Sequence, residues 1–276
     1  MSYDYRLITV EVDGGVAFAT IDNPPINLFS LPLFVEMMKF AEEVERDTAV
    51  RVVVLQSAPP DFFIAHFDVA AILEFPIAAP AAREKELNGF HQMCERFRSM
   101  PKATIAKIAG RVGGGGSELC ESLDMRFGAL GKTVVNQMEV ALGILPGGTG
   151  TQRLPRLLGR GRAMEVVLGS DDLDAATAER WGYLNRALPP GELDAFVLRL
   201  ARRIASFPAE AIALAKASVN AADELPLREG LLEEAYLFQR SIRSPDAQRR
   251  MRRFLELGGQ TRDAELRIGE LGAKLG

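Results

Sequence analysis

Four consecutive glycines, Gly113 to Gly116, run into Ser117-Glu118 and then Leu119 and Leu123. The two leucines are an i,i+4 apolar pair suited to a helix, so the segment reads as a glycine loop that opens one. Glycines let backbone N–H groups approach a ligand closely, and a helix N-terminus favours negative charge there. Together these features can make an oxyanion-hole donor. Glu118 follows Gly115 by three positions, about 4.5 Å along a helix rising ~1.5 Å per residue, so a carboxylate and a donor N–H can face one pocket. A mobile surface loop, with Glu118 merely complementing the helix dipole, would leave the same pattern. Glu121, one turn further on, rivals Glu118 on spacing and is expected to face solvent.

A second isolated acid, Glu139, lies in the apolar run Asn136 to Gly143, just before Pro146-Gly147-Gly148-Thr149-Gly150. Burial would raise its pKa and favour the proton-bearing form, whereas a place at the exposed end of an element would leave it ordinary. His66, in Phe62-Phe63-Ile64-Ala65-His66-Phe67-Asp68, is one of only two histidines. It forms no H-x-x-x-H pair with His91, and no paired acids bracket it, so no metal site is expected. A G-x-S-x-G elbow is absent, as are the Gly-Lys-Ser/Thr ending of a P-loop and the G-x-G-x-x-G spacing. His66 is therefore expected to pack or to touch ligand rather than to act as a base.

The elements that must position these residues alternate along the chain. Arg6 to Val12 and Gly15 to Ile21 are β-rich and separated by Asp13-Gly14, a strong hairpin signal. Ser30 is placed to cap a helix entered through Pro32, with Phe34, Met37, Met38, Ala41 and Val44 at helical spacing. Val52 to Leu55 and Thr104 to Ile108 read as buried strands ended by Pro59-Pro60 and Gly110. Between them a helix is expected over roughly 82–97, after a less regular stretch. From Leu154 onward strand signals are scarce and helical ones recur, at 163–168, 175–181, 193–204, 209–222 and 227–238. No fixed-period repeat is visible. The Arg-dense stretch from Arg240 to Arg253 reads as a solvated helix face.

The 276 residues leave room for one large domain or two unequal ones. At 47% hydrophobic and 25% charged, the chain is too apolar for a disordered one and is expected to fold unaided. The net charge of −4 offers no basic excess for general nucleic-acid binding. Cys94 and Cys120 match no disulfide or zinc spacing, which suits a reducing cytoplasm. Neither a leader at Met1 to Val10 nor an apolar run of the ~18 residues a membrane span needs is apparent.

In this order the pieces resemble the enoyl-CoA hydratase/isomerase family, whose fold is called crotonase. Gly15-Val16-Ala17 through Asn23-Pro24-Pro25-Ile26-Asn27 resembles the opening strand and N-x-P-P-x-N turn, and Arg51 to Leu55 the next core strand. Phe63-Ile64-Ala65-His66-Phe67-Asp68 is similar to F-x-A-G-A-D, and Gly110 to Leu119 to N-G-x-x-x-G-G-G-x-E-L. Gln137 to Gly147 resembles Q-P-E-x-x-L-G-x-x-P-G, and Gly150 to Leu154 continues it. The resemblance implies an α/β fold: a spiral of ββα units over residues 1–200 and a helical trimerisation region over 201–276. A homotrimer or a dimer of trimers is implied with it.

For function, the resemblance implies an enoyl-CoA hydratase with oxyanion donors on Phe67 and Gly115 and catalytic acids Glu118 and Glu139. Ala65, His66, Asp68, Gly114, Phe238 and Phe254 would line the CoA and acyl site. No metal or redox cofactor is implied, because coenzyme A is part of the substrate. Both acids favour hydration over isomerisation, for which many relatives keep one. An enoyl-CoA isomerase or other CoA-thioester lyase or hydrolase on the same fold, or a non-catalytic acyl-CoA-binding subunit, is the alternative. Departures motivate it: His66 replaces a glycine expected in left-handed conformation, Phe67 an alanine, and Met138 a proline. One extra residue falls near 128–132. The lysine expected after Phe254 is absent, which leaves Arg252 or Arg253 to meet a CoA phosphate.

Overall fold

The computed structural model describes residues 3–275. Strands β1 (Ile8–Asp13) and β2 (Val16–Ile21) form the antiparallel hairpin, with Asp13 opposite Val16. Its turn is Gly14-Gly15, one residue later than the sequence suggests, because both positions need the left-handed backbone (φ 57° and 83°) that glycine supplies. Helix α1 (Leu31–Arg46) starts where Ser30 accepts the Leu33 N–H, and it buries Leu33, Met37, Phe40, Ala41 and Val44.

Strand pairs then alternate with helices. They are β3 (Val52–Ser57) with β4 (Phe62–Ile64), followed by helices α2 (Val69–Leu73) and α3 (Gly89–Ser99). Next come β5 (Ala103–Ile108) with β6 (Arg111–Gly113), then α4 (Gly114–Glu121). Then follow β7 (Met125–Ala129) with β8 (Val134–Asn136), before α5 (Gly150–Leu158) and α6 (Arg160–Gly169). In each pair the first strand joins a six-stranded sheet, in the order β1-β2-β3-β5-β7-β10, and the second a smaller one, in the order β4-β6-β8-β9. That is the expected spiral of ββα units. Short β9 (Leu173–Asp174), helix α7 (Ala175–Trp181) and β10 (Arg186–Leu188) complete the two sheets.

The large sheet is covered on both faces, which explains its continuous apolar strands. Val53 and Leu55 face the main core, while Val52 and Val54 face Leu193, Val197, Ala201 and Ala205 of α8 (Pro190–Ala205). Helix α8 thus belongs to the sheet packing and runs through residue 200. Beyond it lie α9 (Ala209–Ala221), α10 (Leu227–Arg243) and α11 (Pro245–Glu256), with short turns to the end. Five of the six arginines between 240 and 253 are exposed, as expected of a solvated face, while Arg250 is half-buried and donates to the Ser206 carbonyl.

One expected helix is shorter than its sequence suggests. Residues 82–88 are exposed and irregular, and α3 begins only at Gly89, where the Asn88 side chain accepts the His91 N–H.

Candidate active site

The glycine run crosses from β6 into α4. Gly114 takes a left-handed backbone, φ 45°, and Gly115 is the second residue of the helix, so its N–H has no carbonyl a turn behind it. Segment 64–67 packs directly against this turn. A Cβ on Gly115 would stand 3.1 Å from the Phe67 Cβ and 3.6 Å from its nitrogen, so a larger residue there would press the two segments apart by a few tenths of an ångström.

Phe67 is fixed by a parallel bridge to Phe29. The Phe29 N–H donates to the His66 carbonyl at 2.9 Å, and the Asp68 N–H donates to the Phe29 carbonyl at 3.2 Å. In such a bridge the intervening residue directs its own N–H to the opposite side, away from Phe29. His66 keeps an ordinary negative φ, contrary to the left-handed conformation expected of that position, since the hydrogen bonds of residues 65–68 hold the segment extended. Its Nδ1 lies 2.8 Å from the Phe67 carbonyl.

Glu118 is 4% exposed. Its Oε1 accepts the N–H groups of Gly148 at 2.7 Å, Thr149 at 2.9 Å and Gly150 at 2.9 Å, where α5 begins. The positive end of that helix suits a carboxylate. With Oε1 saturated, Oε2 is left for whatever enters the site. Glu139 precedes a 3-10 turn over Val140–Leu142 and is buried, not solvent-facing. Burial pushes its carboxyl up to about 7, with its own backbone hydrogen bond opposing the rise and the charge of Glu118 adding to it. Its Oε2 is buried without a partner among the described residues, and its Oε1 stands 2.9 Å from where a Gly114 Cβ would be.

Phe67, Gly115, Glu118 and Glu139 line one cavity of about 570 Å³. Apart from Asn88, the rest of its wall is mostly apolar, including Leu31, Phe34, Ile72, Phe90 and Ile144. Phe90 stacks on Phe34 at 6.0 Å and meets Phe67 edge-on. Ala65, His66 and Gly114 stand behind this wall. Asp68 instead caps α2 by accepting the Ala70 N–H. Phe238 is 62% exposed on α10, and Phe254 lines a separate cavity of about 480 Å³ with Pro208 and Ile268, so neither reaches this site within the chain. Arg252 and Arg253 are exposed on α11.

Sequence reasoning missed three parts of the site. The amide cradle at 148–150 was signalled only by its glycines. His91 faces the same loop, with Nε2 at 2.9 Å from the Gly147 carbonyl. Glu121, expected in solvent, is 4% exposed beneath the site. Among the described residues, no group of three or more His, Cys, Asp or Glu side chains could hold a metal ion, and no helix is long and apolar enough to cross a membrane.

Comparison with known proteins gives a consistent result. A crotonyl-CoA hydratase from Syntrophomonas wolfei is 32% identical over 253 residues, covering 91% of this chain and 96% of that protein. A short-chain-enoyl-CoA hydratase from Clostridium acetobutylicum is 30% identical over 250 residues, covering 90% and 94%. The solved structure of an enoyl-CoA hydratase subunit I from Geobacillus kaustophilus superposes with a TM-score of 0.84 at 31% identity, covering 94% of this chain and 98% of that one. The enoyl-CoA hydratase/isomerase family model matches residues 11–261, and the chain belongs to that family.

Proposed function

We propose that the chain is an enoyl-CoA hydratase that adds water to a trans-2-enoyl-CoA thioester. The observation that carries this reading is the convergence of two carboxyl side chains and two adjacent backbone amides on one apolar-walled cavity. The thioester oxygen sits between the N–H groups of Phe67 and Gly115, which stabilise the enolate-like charge as it develops. Losing one such donor typically costs about 2.7–4 kcal/mol of transition-state stabilisation.

Glu118 positions the water through Oε2 and takes one of its protons as the oxygen bonds to C3. Glu139, raised to about 7 by burial, gives a proton to C2. The product is a 3-hydroxyacyl-CoA, and one proton relayed through the next water from Glu118 to Glu139 restores both carboxyl groups. Coenzyme A enters as part of the substrate, and the thioester with the backbone dipoles supplies the activation without a further cofactor. Support comes also from the hydratase names of the relatives.

The test is a panel of enoyl-CoA thioesters of graded chain length, followed by loss of the ultraviolet absorbance of the conjugated thioester. Glu118→Gln and Glu139→Gln should each lower turnover by orders of magnitude while crotonyl-CoA still binds. Hydration near the parent rate in either variant would remove that residue from the mechanism.

A further inference from the structure

Below the catalytic pair lies a carboxyl group that the proposed hydration does not use. Glu121, on the last turn of α4, directs its Oε1 at two donors: the Ser117 hydroxyl at 2.9 Å and the Gln137 amide at 3.0 Å. Ser117 also meets the Tyr183 hydroxyl at 2.9 Å. Ser117 immediately precedes Glu118, and Gln137 lies two residues before Glu139. We propose that Glu121 is a positioning residue: its carboxyl clamps α4 to segment 137–139 and so holds the side chains of Glu118 and Glu139 in register across the cavity. This inference rests on the catalytic assignment of that pair.

Burial favours the proton-bearing form of the clamp, in which Oε1 still accepts both hydrogen bonds. Glu121 Oε2 is buried with no partner among the described residues, so ionisation would put a charge held by hydrogen bonds at Oε1 alone near that of Glu118. Burial raises Glu121 to about 8, and the charge of Glu118 adds to the rise, while the hydrogen bonds from Ser117 and Gln137 and the charge of Arg126 oppose it. Arg126 spends Nε and Nη1 on the Tyr183, Cys120 and Leu123 carbonyls. On the side away from the substrate cavity, Glu121 lines a second cavity of about 770 Å³. Its facing charges include Arg98, Arg153 and Lys216, which are ion-paired to Glu95, Glu224 or Asp124. Arg156, Arg250 and Asp223 lie further along the same wall.

Glu121→Gln keeps the acceptor and the neutral shape, so kcat should stay within about threefold of the parent. Glu121→Leu releases the clamp, and a misplacement near 1 Å can cost up to about a hundredfold, so kcat should fall by at least about tenfold with KM for crotonyl-CoA little changed. Parent-like kcat in Glu121→Leu, or equal damage in both variants, would overturn the proposal. If Glu121→Leu does not fold, infrared spectroscopy decides. A protonated-carboxyl band lost in Glu121→Gln should titrate with a midpoint of about 8. A midpoint in the ordinary carboxylate range would refute it. That band needs no turnover, so it stands apart from Glu118→Gln and Glu139→Gln, whose undiminished hydration would instead remove the catalytic pair from the mechanism.

Discussion

Gly148→Ala puts the proposed chemistry under a controlled displacement. A Cβ at this position would stand 2.6 Å from the Phe90 ring and closer still to Glu118 Oε2, whereas ordinary contact begins near 3.4 Å. Phe90 can swing, because it lines an open cavity. The Glu118 carboxylate has less freedom, since its other oxygen is held by three amides, one of them Gly148's own. Relieving the clash moves Oε2 by about 1 Å, and a shift of that size can cost about a hundredfold in rate. At ~1.36 kcal/mol per factor of ten, this is about 2.7 kcal/mol of lost transition-state stabilisation. The assay is steady-state hydration of crotonyl-CoA, with kcat and KM resolved and the fold checked by circular dichroism. The loss should fall on kcat, because Oε2 acts on water rather than on the thioester. Gly161→Ala in α6, where an added Cβ meets nothing within 4 Å, serves as the control and should leave both parameters unchanged. A folded Gly148→Ala enzyme with parent kcat would show that the position of Oε2 does not govern the reaction, and the role given to Glu118 would fail with it.

Two further outcomes follow from the same geometry. If Glu139 delivers the proton to C2, kcat/KM for hydration should fall as pH rises through about 7, because the raised carboxyl loses its proton there. A rate that instead climbs through that range would make Glu139 a base. Gly116→Ala should destabilise the fold by about 1–3 kcal/mol in urea unfolding, because the new methyl would sit 2.6 Å from the Ile64 Cβ in a closed contact. Unchanged stability would mean that α4 and β4 are less rigidly packed than the glycine run implies.

What could be read beforehand is what the chain encodes locally. The first hairpin, the Ser30 cap and the strands around Val54 and Ile105 rest on period and turn chemistry within a few residues, and they stand within a residue or two of expectation. The spiral leaves no fixed-period repeat in the sequence because its turns are unequal: successive strands of the large sheet start at Val52, Ala103 and Met125. The helix expected from residue 82 starts only at Gly89 for an energetic reason. Its alanines and charged residues have good helix propensity, but nothing lies above them to bury an apolar face, and short helices gain little stability without one.

Glu121 shows the deeper limit. Spacing makes it a rival of Glu118, and the expectation that it faces solvent presumes a helix with a wet side. Every residue of α4 is buried, because β4, β6, β8 and α5 surround it, so the helix has no solvent face to which an acid could go. The same enclosure brings the amides of 148–150 onto Glu118 across 30 or more residues of chain. A motif can name the two acids, but the neighbours that set their geometry are recruited by packing over distances that no local spacing records. The residues most in need of mutation are therefore the ones the motif omits: Gly148 beside Oε2 and Glu121 beneath the helix.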